Sequence, residues 1–272
     1  MRMSLCNEVV RHLPFPQQCA LARELGYDGL EIAPFTLGDE PHRLAPACIA
    51  ELRSIASREG IGITGLHWLL MKPENLSITS RDAPVRQRTV DVMRRLIDLC
   101  ADLGGHYLVH GSPRQRELIT EHEREQRAFG AECFAAAGEH ASTAGVVYCI
   151  EPLAPDETNF VTSVAEAADL VRQINIPALR TMIDCAAAMR GRDGDPARLL
   201  STWLPSGLIA HVHLNDPNRR GPGQGSLQFK PILQALREKG YSGFLGVEPF
   251  IYEPDGPSSA ARAIGYLRGC LE

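Results

Sequence analysis

Four residues in the second half of the chain have the types and the placing of a divalent-metal site: Glu151, Asp184, His213 and Glu248. Each closes a short apolar run, and proline follows both glutamates. Three carboxylates and one imidazole form a hard, mostly oxygen donor set. Such a set suits one divalent ion, Mn²⁺ first, with Mg²⁺, Co²⁺ or Zn²⁺ next, and does not imply thiolate chemistry. Without a cation, three clustered carboxylates repel and at least one takes a proton. An ion held there polarises a ketone and the neighbouring hydroxyl and stabilises a cis-enediolate formed at the α carbon. A carboxylate on each face of that carbon suits epimerisation, one removing the proton and the other returning it from the opposite side. Proton return to the neighbouring carbon gives an isomerase, and loss of a β leaving group gives a lyase.

Such residues converge only if their strands are parallel and closed. The pattern supports this. Apolar, strand-like runs fall at 3–9, 29–33, 61–68, 106–110, 146–151, 179–184, 208–214 and 243–248. Helical periodicity falls between and after them, at 16–25, 45–58, 85–103, 121–144, 163–173, 195–204, 231–239 and 258–271. Ser163 and Glu166 are spaced as a capping box. Eight β-then-α units in 272 residues, with no linker-like break, predict one α/β domain over 1–272, a single (β/α)8 TIM barrel. A doubly wound sheet is the alternative, weakened by the lack of a GxGxxG motif after the first strand.

Active sites of such barrels lie at the C-terminal strand ends. By this count the ends carry His67, His110, Glu151, Asp184, His213 and Glu248. Taken singly, each has a plainer role: a glutamate as an ion-pair partner, Asp184 as a helix cap, His213 as a satisfied core histidine. Four on consecutive strands favour the metal. His67 and His110 are candidate bases or hydroxyl-binding groups on the opposite wall. Strand alternation lets only one of His67 and its neighbour Trp68 face the mouth. His211, two residues before His213, is placed one layer deeper, as support or core. Glu31 ends a strand on the far side from the cluster. Arg114 and Arg116 are expected as a solvated pair at a helix entry, with anion recognition as the other reading.

The formal net charge is −5 and there is no basic run, which argues against a nucleic-acid partner. No apolar stretch reaches the roughly 18 residues of a membrane span. The first residues lack the features of a secretory signal, and eight scattered cysteines contain no CxxC pair. A cytoplasmic protein with free thiols is expected.

The blocks Ile150-Glu151-Pro152-Leu153, Ile183-Asp184, His211-Val212-His213-Leu214-Asn215-Asp216, Asn218-Arg219, Gly223-Gln224-Gly225 and Val247-Glu248-Pro249-Phe250 resemble the xylose-isomerase-like barrel superfamily. That superfamily comprises the sugar phosphate isomerases and epimerases and AP endonuclease family 2. The resemblance runs along essentially the whole chain, and its second half is most similar to the ketose 3-epimerases. It implies metal ligation by Glu151, Asp184, His213 and Glu248, acid/base work by Glu151 and Glu248, and substrate contacts from Glu157 and Arg219. It also implies a small sugar substrate and a homo-oligomer, since such enzymes are often dimers or tetramers. The chain departs from the epimerases at Ala187, where they carry a substrate-contacting histidine. Residues 221–225 lack the Asp-x-His pair of the endonucleases. A lyase acting on 3-oxo-glycosides, with His110 as base, and a non-catalytic metal-binding barrel are the alternatives.

Overall fold

A computed structural model describes residues 1–272. Eight parallel strands follow one another around a closed barrel: β1 Arg2–Cys6, β2 Gly29–Ile32, β3 Gly62–Leu66, β4 Tyr107–His110, β5 Val147–Ile150, β6 Leu179–Asp184, β7 Ile209–Leu214 and β8 Phe244–Val247. The ring closes where β1 pairs with β8, Leu5 standing opposite Val247. Outside run α1 Phe15–Leu25, α2 Pro46–Arg58, α3 Ala83–Asp102, α4 Glu123–Ala144, α5 Val164–Ile174, α6 Cys185–Arg190, α7 Pro196–Trp203, α8 Phe229–Glu238 and α9 Gly256–Leu271. The expected (β/α)8 barrel is present.

The alternation of strand side chains divides the core in two. Tyr107, Val109, Cys149 and Met182 fill the barrel interior. Leu108, Tyr148, Ile150 and Ile183 point the other way and join the larger cluster beneath the helices. Register then aligns the site. Asp184 pairs with His213, and His213 pairs with Gly246, two residues before Glu248, so β6, β7 and β8 bring three of the four candidate donors to one end of the barrel.

Two elements differ from the sequence pattern. The first strand stops at Cys6, and residues Asn7–Val10 form a 3-10 turn. Asn7 explains the stop. Its amide bonds Ala33 N–H, Gln18 and Thr36, which holds the chain end against neighbouring loops. The second is α6, a six-residue helix that falls outside the helical periodicity of the sequence. Its N-cap is Asp184, whose Oδ1 accepts from Ala187 N at 2.6 Å. Three alanines at 186–188 extend readily from that cap.

The capping box at the start of α5 forms, in a variant arrangement. Ser163 Oγ accepts from Glu166 N at 3.2 Å, while the Glu166 carboxylate accepts from Val161 and Thr162 N–H instead of reaching back to Ser163. Burial pushes the Glu166 carboxyl up, but the Thr162 N–H, the Arg127 guanidinium and the Val161 N–H outweigh it and hold it below its usual range. Its contribution is therefore full at neutral pH and is lost as pH falls through that lowered value. Ser163→Ala is expected to cost about 1 kcal/mol in urea denaturation. Glu166→Gln should destabilise near neutral pH, with the gap from wild type narrowing in acid; a gap independent of pH would contradict the assignment.

Candidate active site

Strand alternation and register carry Glu151, Asp184, His213 and Glu248 to one point at the C-terminal mouth. All four are buried, and one donor atom from each lies within 4.8 Å of the others. His213 Nδ1 is 3.0 Å from Glu248 Oε2, 3.6 Å from Glu151 Oε1 and 3.9 Å from Asp184 Oδ2. Its Nε2 lies 3.0 Å from Glu31 Oε1. With the ring proton on Nε2 and bonded to Glu31, the Nδ1 lone pair faces three carboxylates and has no hydrogen-bond partner. A cation between them satisfies all four donors at once. Burial and the neighbouring Glu151 push Asp184 up to about 7. Burial also raises Glu248 to about 8 against the pull of His213, with Glu151 adding to the rise. Burial and the crowding with Glu151 outweigh the pull of His213 in both shifts, and a divalent ion would relieve them. The donor set therefore fits a hard divalent metal.

The support is partly visible in the motifs and partly not. His211 sits one layer below His213, its Nε2 3.1 Å from Glu31 Oε2 and its ring stacked on Tyr107 at 4.1 Å. It is the supporting core histidine expected. Glu31 is not remote from the cluster, as its strand position suggested. The interior of a small barrel is narrow enough for a β2 side chain to touch β7. Glu31 accepts from His213 and from Tyr107 Oη at 2.8 Å. Burial raises its carboxyl, but His211 and His213 hold it well below the usual range. Gly246 makes room for this layer: a Cβ there would stand 2.6 Å from His213 and 2.7 Å from Glu31. Asn215 Nδ2 donates to Asp184 Oδ2 at 2.7 Å and fixes its orientation. The only sequence signal for it is its spacing, two residues past His213 and so on the same side of the chain.

Only Trp68 of the His67–Trp68 pair lines the cavity, and a left-handed turn just past the end of β3 places it there. Trp68, at φ 52°, lines the cavity between Phe35 and Phe250, with centroids at 5.5 and 5.7 Å. His67 is buried behind it. Its Nε2 is 2.8 Å from Glu8 Oε2 and 3.9 Å from Glu248 Oε1. Burial depresses the His67 imidazole, but Glu8, then Glu31 and Glu248, raise it to about 9. Glu8 went unrecognised because it was assigned to a regular strand. The turn at 7–10 carries it over the barrel end.

His110 is not brought to the mouth. It shares the parity of Leu108, so its ring packs outward against Phe134 at 5.0 Å, and Nδ1 meets Tyr148 Oη at 2.7 Å. Burial, with Arg116 nearby, lowers it to about 3. The inward position at the end of this strand is Gly111, where a Cβ would strike Glu151 Oε2 at 2.2 Å. Nor are Arg114 and Arg116 a solvated pair. Arg116 is fully buried, and its Nη2 donates to the Glu151 carbonyl at 2.7 Å. Burial lowers it to about 10, against the Glu151 charge. It anchors the chain that carries Glu151. Arg114 lines the cavity.

That cavity encloses about 520 Å³ over Glu151, Asp184 and Glu248. Glu157 and Arg219, the two residues singled out by the family resemblance, line it with Leu153, Ala186, Ala187 and Arg190. Arg190 ties Glu157 down at 3.3 Å and also pairs with Asp156. Arg219, at φ 68°, lays its guanidinium 5.1 Å from the centre of the Phe250 ring. Its carbonyl accepts from Phe250 and Ile251 N–H, which locks the unusual backbone in place.

Fold and site together define an α/β-barrel enzyme class with its ligand-forming side chains at the C-terminal mouth. Within it, residues 19–270 match the family described as "Xylose isomerase-like TIM barrel", and the chain belongs to that family. Among curated relatives, it is 25% identical to fructoselysine 3-epimerase of Shigella flexneri over 252 residues, 88% of this chain and 86% of that protein. It is 28% identical to D-psicose 3-epimerase of Ruminiclostridium cellulolyticum over 234 residues, 84% and 75% of the two chains. Among solved structures, a D-psicose 3-epimerase from Clostridium cellulolyticum H10 with D-tagatose superposes with TM-score 0.85 at 20% identity, covering 100% of both chains. A 3-keto-D-glucoside 4-epimerase from E. coli gives 0.82 at 20% identity, covering 99% of this chain and 100% of that one. At these identities the structural likeness is one of fold.

Proposed function

We propose that this chain is a divalent-metal-dependent sugar epimerase acting on a ketose or keto-polyol, with Glu151 and Glu248 as its acid/base pair. The observation that carries the reading is the buried group of Glu151, Asp184, His213 and Glu248, with two glutamates flanking one cavity floor. The relatives named as ketose 3-epimerases support the reaction class.

The ion, Mn²⁺ in our reading, supplies Lewis acidity to the ketone oxygen and its neighbouring hydroxyl. The side chains do the rest. Trp68 and Phe250 offer apolar faces to the sugar carbons, and Glu157 and Arg219 bond its hydroxyls. One glutamate takes the proton α to the carbonyl, and the other returns a proton from the opposite face. Arg116 and Asn215 hold Glu151 and Asp184 in place. His67, with Glu8, buttresses Glu248 from behind and is not a cavity-lining base. His110 has no part in catalysis on this reading, which removes the base that the lyase alternative required. Ala187 leaves an apolar patch beside Asp184, so the sugar is held differently there than in the ketose 3-epimerases. No helix is long and apolar enough to cross a membrane. All eight cysteines are free, and we place the protein in the cytoplasm.

The test is deuterium uptake from D₂O by a panel of ketoses, followed by NMR. Protein loaded with Mn²⁺ should exchange the proton on the carbon next to the carbonyl and form the epimer. Stripping the metal with a chelator should lower the rate at least about 100-fold. Tight Mn²⁺ binding with no exchange on any ketose would refute the reading and favour a non-catalytic barrel.

A further inference from the structure

The cavity is larger than its catalytic floor requires. Its outer wall is built by two adjacent loops, one after β3 carrying Met71–Asn75 and one after β4 carrying Gly111–Gln115. The loops are pinned to each other. Ser112 Oγ accepts from Leu70 N at 3.1 Å, Gln115 O accepts from Ile78 N at 2.8 Å, and Thr79 Oγ1 donates to Glu117 O at 2.7 Å. Within this wall Lys72 is committed to Asp39 and Glu74, at 3.3 and 3.2 Å. On the facing wall Arg190 is committed to Asp156 and Glu157. Arg114 takes part in none of these pairs; Arg219 also forms none, but its guanidinium lies over the Phe250 ring. Arg116, two residues on, is spent on the Glu151 carbonyl. The wall climbs from Gly111, buried against Glu151, to Arg114, exposed at the rim.

We propose that Arg114 forms a rim subsite for an anionic group, so that the substrate is a ketose bearing a carboxylate or phosphate on a substituent away from the reacting carbons. This rests on the epimerase reading above. Three considerations support it. The volume, about 520 Å³, is in the range of sites that enclose ligands larger than a bare hexose. The guanidinium is a planar fork of donors matched to carboxylate and phosphate oxygens, and this one has no internal acceptor. The charge layout is polar, with carboxylates on the floor and an uncommitted cation at the rim. With a divalent ion bound, the three floor carboxylates still keep a net negative charge, so an anionic group is disfavoured there and held at the rim, which directs the carbonyl end inward.

The test compares ketoses that differ in the charged group: D-fructose, D-fructose 6-phosphate and a fructosyl amino acid. Each is assayed for deuterium uptake by Mn²⁺-loaded protein and titrated calorimetrically. At least one anionic ketose should exceed D-fructose by about 10- to 100-fold in kcat/KM, mostly through KM, the size of one charge-assisted hydrogen bond. Whichever arm responds identifies phosphate or carboxylate. Arg114→Ala should erase that ratio and Arg114→Lys should restore part of it. The inference is overturned if the three compounds bind and react alike, or if the preference survives Arg114→Ala. Exchange on none of them would sink the epimerase reading, while the calorimetric ratios would still decide the subsite.

Discussion

Glu248→Gln should lower the rate of deuterium exchange into a ketose by about 10²- to 10⁴-fold, the range associated with loss of a positioned acid/base group. The amide keeps the shape of the side chain and one oxygen donor, so the barrel should fold and still bind Mn²⁺, more weakly. Glu248 is the more informative of the two glutamates. It lies 3.0 Å from His213 Nδ1 on one side and 3.9 Å from His67 Nε2 on the other, within a buried site. Saturating Mn²⁺ separates the two roles: restored occupancy without restored exchange assigns the proton transfer to the carboxylate. A variant that regains most of the wild-type rate at high Mn²⁺ would show a ligand only, and the acid/base assignment would fail. Glu151→Gln should behave in the same way, with exchange lost from the opposite face.

Glu31→Ala is expected to damage both metal binding and folding, although Glu31 is not among the proposed ligands. Its carboxylate accepts from His213 and Tyr107 and sits 3.1 Å from His211, with no exposed surface. Removing it frees His213 to rotate and to carry its proton on either nitrogen. Loss of such a supporting carboxylate typically costs about 10- to 100-fold in metal affinity. It also leaves buried polar groups without their partner, a loss of about 3–5 kcal/mol for a broken buried pair. Calorimetric Mn²⁺ titration and urea denaturation measure the two effects. Unchanged affinity, within twofold, would mean that His213 is oriented by its strand alone. Because Glu31 does not line the cavity, substrate KM at saturating metal should change less than metal affinity does.

The barrel and its four-residue cluster follow from local pattern. Apolar runs alternating with helical periodicity specify parallel strands under helices, and a polar residue closing each run marks the mouth. Glu157 and Arg219 were legible only through the family resemblance, and both lie on loops that rim the same cavity. Side-chain direction at strand ends was less legible, because one residue of register turns a side chain to the opposite face. His110 was assigned to the mouth and points outward, while Gly111, with nothing to offer chemically, takes the inward place beside Glu151. Arg116 looked like a surface residue by composition and is buried, since only the folded loop brings the Glu151 carbonyl to its guanidinium.

The sequence by itself determined the fold class, the donor types and the elements that bear them, since these rest on periodicity and on the chemistry of single residues. The tertiary structure alone decided that Glu31 on β2 and Glu8 in the turn after β1, both far off in the chain, stand behind His213 and Glu248. Closing eight strands into a narrow barrel makes neighbours of side chains that no spacing along the sequence relates. The same closure leaves Arg114 unpaired while Lys72, Arg116 and Arg190 find partners.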